Sequence, residues 1–216
     1  MRRFDIITEA DARQLAVGST VELAARGHVT PLARDTLRDR RVTVVRAGRH
    51  DPDLPPDLAP ASPVTRVAVG SDHTGVALKA AIVTHLRGRG LAADDLGVHT
   101  SDTPADYPDI AAAVARAVAR GEAQAGIVID GAGLGSAIAA NKVRGVRAAM
   151  CQDERTARYS REHNGANVLA LGATLVPEFD DVRRIVDTWL QTPMCEPRYI
   201  RRLLKIRRIE EQEAKS

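Results

Sequence analysis

Residues 125–142 read AGIVIDGAGLGSAIAANK. An apolar run with no polar break, Ala125 to Ile129, meets Asp130, then three glycines at alternate positions (131, 133, 135), then an Ala- and Ile-rich helical pattern. A short run of this kind suits a strand buried on both faces, and both faces are covered in parallel sheets. Gly131, Gly133 and Gly135 leave the backbone bare ahead of a helix, where N–H groups and the helix dipole favour an anion. The spacing is GxGxG, and no acid stands about 20 residues on at the end of the next strand in a convincing position. A dinucleotide fingerprint is therefore weakly matched.

Outward from this stretch the same alternation continues. Strands are expected at Val67–Val69, Leu91–Leu96, Ala125–Ile129, Val146–Met150 and Asn167–Leu171. Helices are expected from Val76 to about Arg87, after Pro108, from about Leu134, from Asp153 to His163, from Pro177 to Leu190 and from Pro197. Regular β-α alternation predicts a parallel sheet with helices on both faces. Upstream, Asp51–Pro63 carries prolines at 52, 55, 56, 60 and 63, which reads as an extended connector between residues 1–50 and 64–216. In the first segment Thr8-Glu9-Ala10-Asp11 opens one helix and Thr30-Pro31 another, with strands at Val21, Leu23, Val29 and 42–45. Fifty residues bury little apolar surface alone, so this small α/β appendage is expected to dock on something.

Composition narrows the function classes. Of 216 residues, 44% are hydrophobic but only 3% aromatic, which makes the core aliphatic and speaks against a single-stranded nucleic-acid binder built on stacking platforms. The net charge of +3 hides a local cluster of Arg198, Arg201, Arg202, Lys205, Arg207 and Arg208. Arg198, Arg202 and Lys205 share one helix face, which is either a solvated surface or a clamp for a phosphate dianion. Two cysteines, Cys151 and Cys195, are too few for a disulfide framework or a zinc site. His28, His50, His85 and His99 read as surface or packing residues, and no pair of histidines has a metal-ligand spacing. No apolar run suggests a membrane span or a secretory signal, so a soluble cytoplasmic protein is expected.

In open α/β sheets ligands bind beyond the carboxyl ends of strands. Asp72-His73 follows the first strand of the long segment and Asp130 the third. Asp130 reads equally as a helix cap or as a base that takes a proton beside N–H groups that hold the resulting oxyanion. His163-Asn164 closes a helix, where both residue types also serve as C-terminal caps.

Six ordered blocks, VAVGSDHTGVALK, ADYPDIAAAVARAV, GIVIDGAGLGSAIAANKVRGVRAAMC, TARYSREHNGANVLALGA, IVDTWLQTP and PRYIRRLLKI, resemble the sugar-phosphate isomerases of the ribose-5-phosphate isomerase type B and galactose-6-phosphate isomerase family, over about residues 64–208. The resemblance implies a Rossmann-like domain, a homodimer or dimer of dimers with sites between subunits, and aldose–ketose interconversion of a phosphorylated sugar through a cis-enediol, with no metal or cofactor. It implies that Asp72 and His73 bind substrate, that Tyr107 lines the pocket, and that Gly131, Gly133, Gly135 and Ser136 belong to the loop holding the enediolate oxygen, in one block with Asn141. His163 is implied to open the sugar ring with Asp72, Asn164 to contact substrate, and Arg198 and Arg202 to bind the phosphate from the neighbouring subunit. Three positions depart from the pattern. Asp130 stands where the family has its cysteine base, as in the A subunit of galactose-6-phosphate isomerase. Ser136 stands where members lacking that cysteine have glutamate, and Ala132 replaces a threonine. Either Asp130 is the base, with a pKa expected to be raised by partial desolvation, or the chain is a non-catalytic sugar-phosphate binder or companion subunit. A pentose or tetrose phosphate is the expected ligand, and neither nucleic acid nor membrane is. ITEADARQL and VTPLARDTL in residues 1–50 resemble short segments on some enzymes associated with bacterial microcompartments, which implies a docking or targeting role.

Overall fold

The computed structural model describes residues 2–46, 63–176, 178–194 and 197–214, without the side chains of 25, 26, 45, 46, 197 and 198. The chain divides into two compact units, Met1–Leu54 and Pro55–Ser216. The proline connector lies outside the described residues except for Pro63, and so do His50 and Cys195.

The N-terminal unit runs β1 (Arg3–Ile7), α1 (Glu9–Gln14), β2 (Thr20–Val29), α2 (Pro31–Asp39), β3 (Thr43–Arg46), with the three strands parallel in the order β1-β2-β3. Both expected helix starts are present. Thr8 and Asp11 form a reciprocal capping box, and Thr30 caps α2 with Pro31 in its first turn. These caps account physically for Thr8 in ITEADARQL and Thr30 in VTPLARDTL. A core of Ile7, Ala12, Leu15, Val21, Leu23, Ala33 and Leu37 holds the unit together. Strand β1 was not anticipated. Its five residues include Arg3 and Asp5, and only Ile7 is buried, so it carries little apolar signal.

The second unit runs β4 (Arg66–Ser71), a 3-10 turn (His73–Gly75), α3 (Val76–Gly88), β5 (Ala92–Asp95), α4 (Tyr107–Ala119), β6 (Ala125–Asp130), α5 (Leu134–Ala140), β7 (Ala148–Met150), α6 (Glu154–Asn164), β8 (Val168–Gly172), α7 (Phe179–Gln191) and α8 (Pro197–Glu213). Its five strands are all parallel, in the order β5-β4-β6-β8-β7. Alternate strand residues feed two cores. Val67, Val69, Ile127, Ile129, Leu169 and Leu171 pack with Ile82, Leu86, Ile185 and Trp189 of α3 and α7. Ala68, Val128, Val168 and Ala170 pack with the alanines and valines of α4 and α5. This is the doubly covered parallel sheet expected from the alternation, and the Rossmann-like arrangement that the resemblance implies. The fourth strand of this unit is shorter than expected: Val146 is turned into the core and pairing starts only at Ala148.

Chain direction reverses across the sheet between β4 and β6, because β5 lies outside β4 while β6, β8 and β7 extend the other way. That reversal opens a crevice at the carboxyl ends of β4 and β6. The scaffold beneath it is set by large aliphatic side chains. Leu86→Ala should cost about 2–5 kcal/mol and lower the guanidinium midpoint with unchanged m, read by fluorescence of Trp189, the chain's single tryptophan and part of the same core.

Candidate active site

At the end of β4, Asp72 and His73 enter the 3-10 turn. The Asp72 N–H donates to the Ile129 carbonyl of β6 (3.1 Å), which fixes the turn against the neighbouring strand. Asp72 Oδ1 accepts from the Thr74 N–H (2.9 Å) and hydroxyl (2.6 Å). No described bond uses Oδ2, and Asp72 is 6% exposed. His73 Nδ1 accepts from the Ala105 N–H at 3.2 Å, so in the neutral ring the proton sits on Nε2. Tyr107 begins α4 at the same edge. A Cβ on Gly135 would stand 2.6 Å from Tyr107 Cζ, so the phenol ring rests on bare backbone at the start of α5. Asp72, His73, Tyr107 and the 130–136 loop are thus gathered at the crevice. Thr74 was overlooked in the sequence, although Asp-x-Thr is a turn signature that could have shown it.

Asp130 ends β6 and is 5% exposed. Its carboxylate turns back into the loop. Oδ1 accepts from the N–H groups of Ala132 (2.8 Å) and Gly133, and Oδ2 accepts from the N–H of Ser136 (2.8 Å). Gly133, at φ +75°, brings those donors round, and a Cβ there would lie 2.8 Å from the Leu171 carbonyl carbon. Burial alone would raise the Asp130 pKa. Bonds from the Ser136 hydroxyl and from the N–H groups of Ser136, Gly133 and Ala132 outweigh it and hold the carboxyl below its ordinary value. The raised pKa expected from desolvation is therefore corrected: the same N–H groups that would hold a substrate oxygen hold the carboxylate. Cys151 is 1% exposed, and burial pushes its pKa up.

The remaining expected residues lie elsewhere. Asn141 does not face the crevice. Its Nδ2 donates to the Ala137 and Ala148 carbonyls (2.9 Å each) and its Oδ1 accepts from the Ala148 N–H (2.7 Å), so it pins α5 to the start of β7. Its side-chain groups serve this structural bridge. His163 and Asn164 end α6, which carries the chain from the carboxyl end of β7 to the amino end of β8. Their edge of the sheet is therefore opposite the crevice, about 17 Å away along a five-residue strand. Tyr199 and Arg202 of α8 stand with His163: the His163 and Tyr199 ring centroids are 4.5 Å apart, and the Arg202 guanidinium lies over the Tyr199 ring. Arg198 is in the first turn of the same helix, its side chain outside the described residues. Sequence reading missed Tyr159 and Tyr199 beside His163; Tyr159, at four residues' spacing on one helix, was the available signal. Among the described residues no group of His, Cys, Asp or Glu could hold a metal ion, and no helix is long and apolar enough to cross a membrane.

A family model described as Ribose/Galactose Isomerase matches residues 67–206. The chain belongs to this ribose/galactose isomerase family. It is 43% identical over 147 residues to ribose-5-phosphate isomerase B of Escherichia coli (strain K12), covering 68% of this chain and 97% of that protein. It is 38% identical over 125 residues to D-erythrulose-4-phosphate isomerase of Pectobacterium atrosepticum, covering 57% of this chain and 81% of that protein. A solved ribose-5-phosphate isomerase B from Clostridium thermocellum superposes with a TM-score of 0.67 at 47% identity, over 68% of this chain and 99% of that one. The N-terminal unit lies outside the ribose/galactose isomerase match.

Within this family member, the ionised Asp130 is what closes the glycine loop, and that has a pH signature. A carboxyl whose folded pKa is depressed adds stability above its unfolded pKa and loses it as pH falls through the folded value. Asp130→Asn should lower the guanidinium midpoint at neutral pH, and the gap from the parent should close as pH falls below the ordinary aspartate value of 3.8. A gap that persists unchanged at pH 3 contradicts the assignment.

Proposed function

We propose that this protein is a cytoplasmic aldose–ketose isomerase of a pentose or tetrose phosphate, working through a cis-enediol in a homodimer whose sites form between copies. The observation that carries the reading is the crevice at the strand-order reversal, where Asp72, His73, Tyr107 and the Asp130 loop converge in a chain of this family. In this reading Asp72 Oδ2 and His73 Nε2 take the sugar hydroxyls, and Tyr107 covers the loop. His163 with Asp72 opens the ring, Asn164 contacts the open sugar, and Arg198 and Arg202 hold the phosphate.

Asp130 takes the proton from C2. The C2–H electron pair becomes the C1=C2 bond, O1 gathers the charge, and return of a proton to C1 with transfer of the O2 proton to O1 completes the ketose. Both carboxylate oxygens of Asp130 in the free protein accept N–H bonds from the loop, three in all. As O1 becomes anionic it competes for those N–H groups. Each bond it takes removes one of the causes that hold the carboxylate's proton affinity down, so the base strengthens as the proton moves. Two observations support the assembly. His163 and Arg202 lie at the opposite sheet edge from the crevice, the placement expected where a second copy brings them to it. On α5, Leu134 and Ile138 stand one turn apart with 58% and 64% of their surface exposed, an apolar face suited to a partner.

The three N–H bonds that Asp130 accepts also favour a second reading, in which the carboxylate is a permanent cap and the chain is a sugar-phosphate-binding or companion subunit. Incubating the purified chain with aldose phosphates of four, five and six carbons in D2O separates the two by NMR. Loss of the C2 proton signal and growth of ketose are expected for one member of the panel. Asp130→Asn should reduce that exchange at least 100-fold while sugar-phosphate binding survives. Full activity in Asp130→Asn, or no exchange with any sugar in the parent, sinks the Asp130 mechanism.

A further inference from the structure

The end of α6 and the first turns of α8 are joined by a stack of four side chains. Tyr159 and His163 are one helical turn apart, with ring centroids at 4.7 Å and planes within 15°. Tyr199 lies 4.5 Å from the same imidazole at 30°. Two rings cannot share one face at these distances, so they bracket it. The Arg202 Cζ is 5.5 Å from the Tyr199 centroid, at cation–π distance. Tyr199 is 6% exposed and packs with Met194 and Leu203, so its ring cannot swing away without opening that cluster.

We propose that Tyr199, backed by Tyr159, is a positioning residue that sets His163 and Arg202 in one register, tying the contact with the phosphate to the opening of the sugar ring. This rests on the isomerase reading above. A histidine at a helix end, with its side chain about a third exposed, has several rotamers open to it. Its Nε2 has Glu162 as its nearest described acid, at 3.9 Å, too long for a hydrogen bond. The aromatic bracket therefore fixes the ring plane of a side chain that stays about a third exposed. Simple core packing does not explain the stack, because Tyr159 is 47% exposed. The same ring that fixes His163 carries Arg202, so a phosphate drawing on the guanidinium is felt at the imidazole. Small displacements of such groups are expensive in rate.

Sugar chain length provides a test that structural damage would not mimic. An aldose 5-phosphate rests mainly as a furanose, and opening it breaks C1–O4, with O1 losing a proton and O4 gaining one. A four-carbon aldose 4-phosphate has O4 esterified and cannot close that ring. With ribose 5-phosphate, Tyr199→Leu should lower kcat about 10- to 100-fold, while with erythrose 4-phosphate kcat holds and KM rises for both. Tyr199→Phe should recover most of the lost kcat. Tyr159→Leu, at a half-exposed position, should act in the same direction. Equal kcat losses on the two sugars, or none, overturn the proposal. A readout independent of turnover is the ring signals of His163 in an NMR titration with inorganic phosphate. They should shift in the parent protein and stay still in Tyr199→Leu; no shift in the parent overturns the coupling. If the parent isomerises neither sugar, the isomerase reading falls while the titration still decides whether Tyr199 couples His163 to Arg202.

Discussion

Every strand of the second unit runs in the same direction, and that single constraint distributes its chemistry. A parallel connection must leave one edge of the sheet and return to the other, so residues that follow strands collect at one edge and residues that end helices collect at the opposite one. Asp72, His73, Tyr107 and Asp130 belong to the first group; His163 and Asn164 belong to the second. The five-strand order β5-β4-β6-β8-β7 then opens the first edge into a crevice between β4 and β6. The second group stays on the far side, stacked against α8. A functional site made of both groups is incomplete in one copy of the chain.

The loop after β6 adds a local constraint of its own. The first turn of α5 has orphan N–H groups, and its N-terminal flanking residue is Gly133, which has no side chain to cap them. Asp130, three residues earlier, supplies the cap from the strand end. Its carboxylate gathers the N–H groups of Ala132, Gly133 and Ser136. A cysteine could not do this, because a thiol offers only a weak acceptor. With aspartate at position 130 the loop therefore holds its own anion. Catalysis through Asp130 requires that anion to yield its donors to the substrate at the moment of proton transfer.

Much of the fold was legible in the sequence, because local signals and burial agree there. The runs at Val67, Ala125 and Val168 are apolar on both faces, and their strands are buried on both faces. Where the signal is short or mixed, as in β1 with Arg3 and Asp5 or in β7 with Val146 turned inward, boundaries shifted or an element was missed. The candidate residues could be named by type, and their geometry could not be read. Asp130 carries a cap and a base reading that look identical in sequence, since only the folded loop shows how many N–H groups reach its oxygens. Asn141 sits in the same linear block as the glycine loop, yet a seven-residue helix carries it to the start of β7. The placement of the candidate residues at two sheet edges is equally hidden in a linear motif, and so is the aromatic bracket of His163, whose members are 40 residues apart.

The claim that one copy holds only half of each site is tested most directly by mixing two inactive variants. Asp72→Asn removes a group at the crevice and His163→Ala removes one at the opposite edge. After the purified variants are mixed and allowed to exchange subunits, half of the dimers are mixed, and each contains one intact site. Isomerase activity should then recover to about a quarter of the parent's. If subunits exchange and activity stays at the level of the separate variants, the two groups do not meet across copies and the account is contradicted.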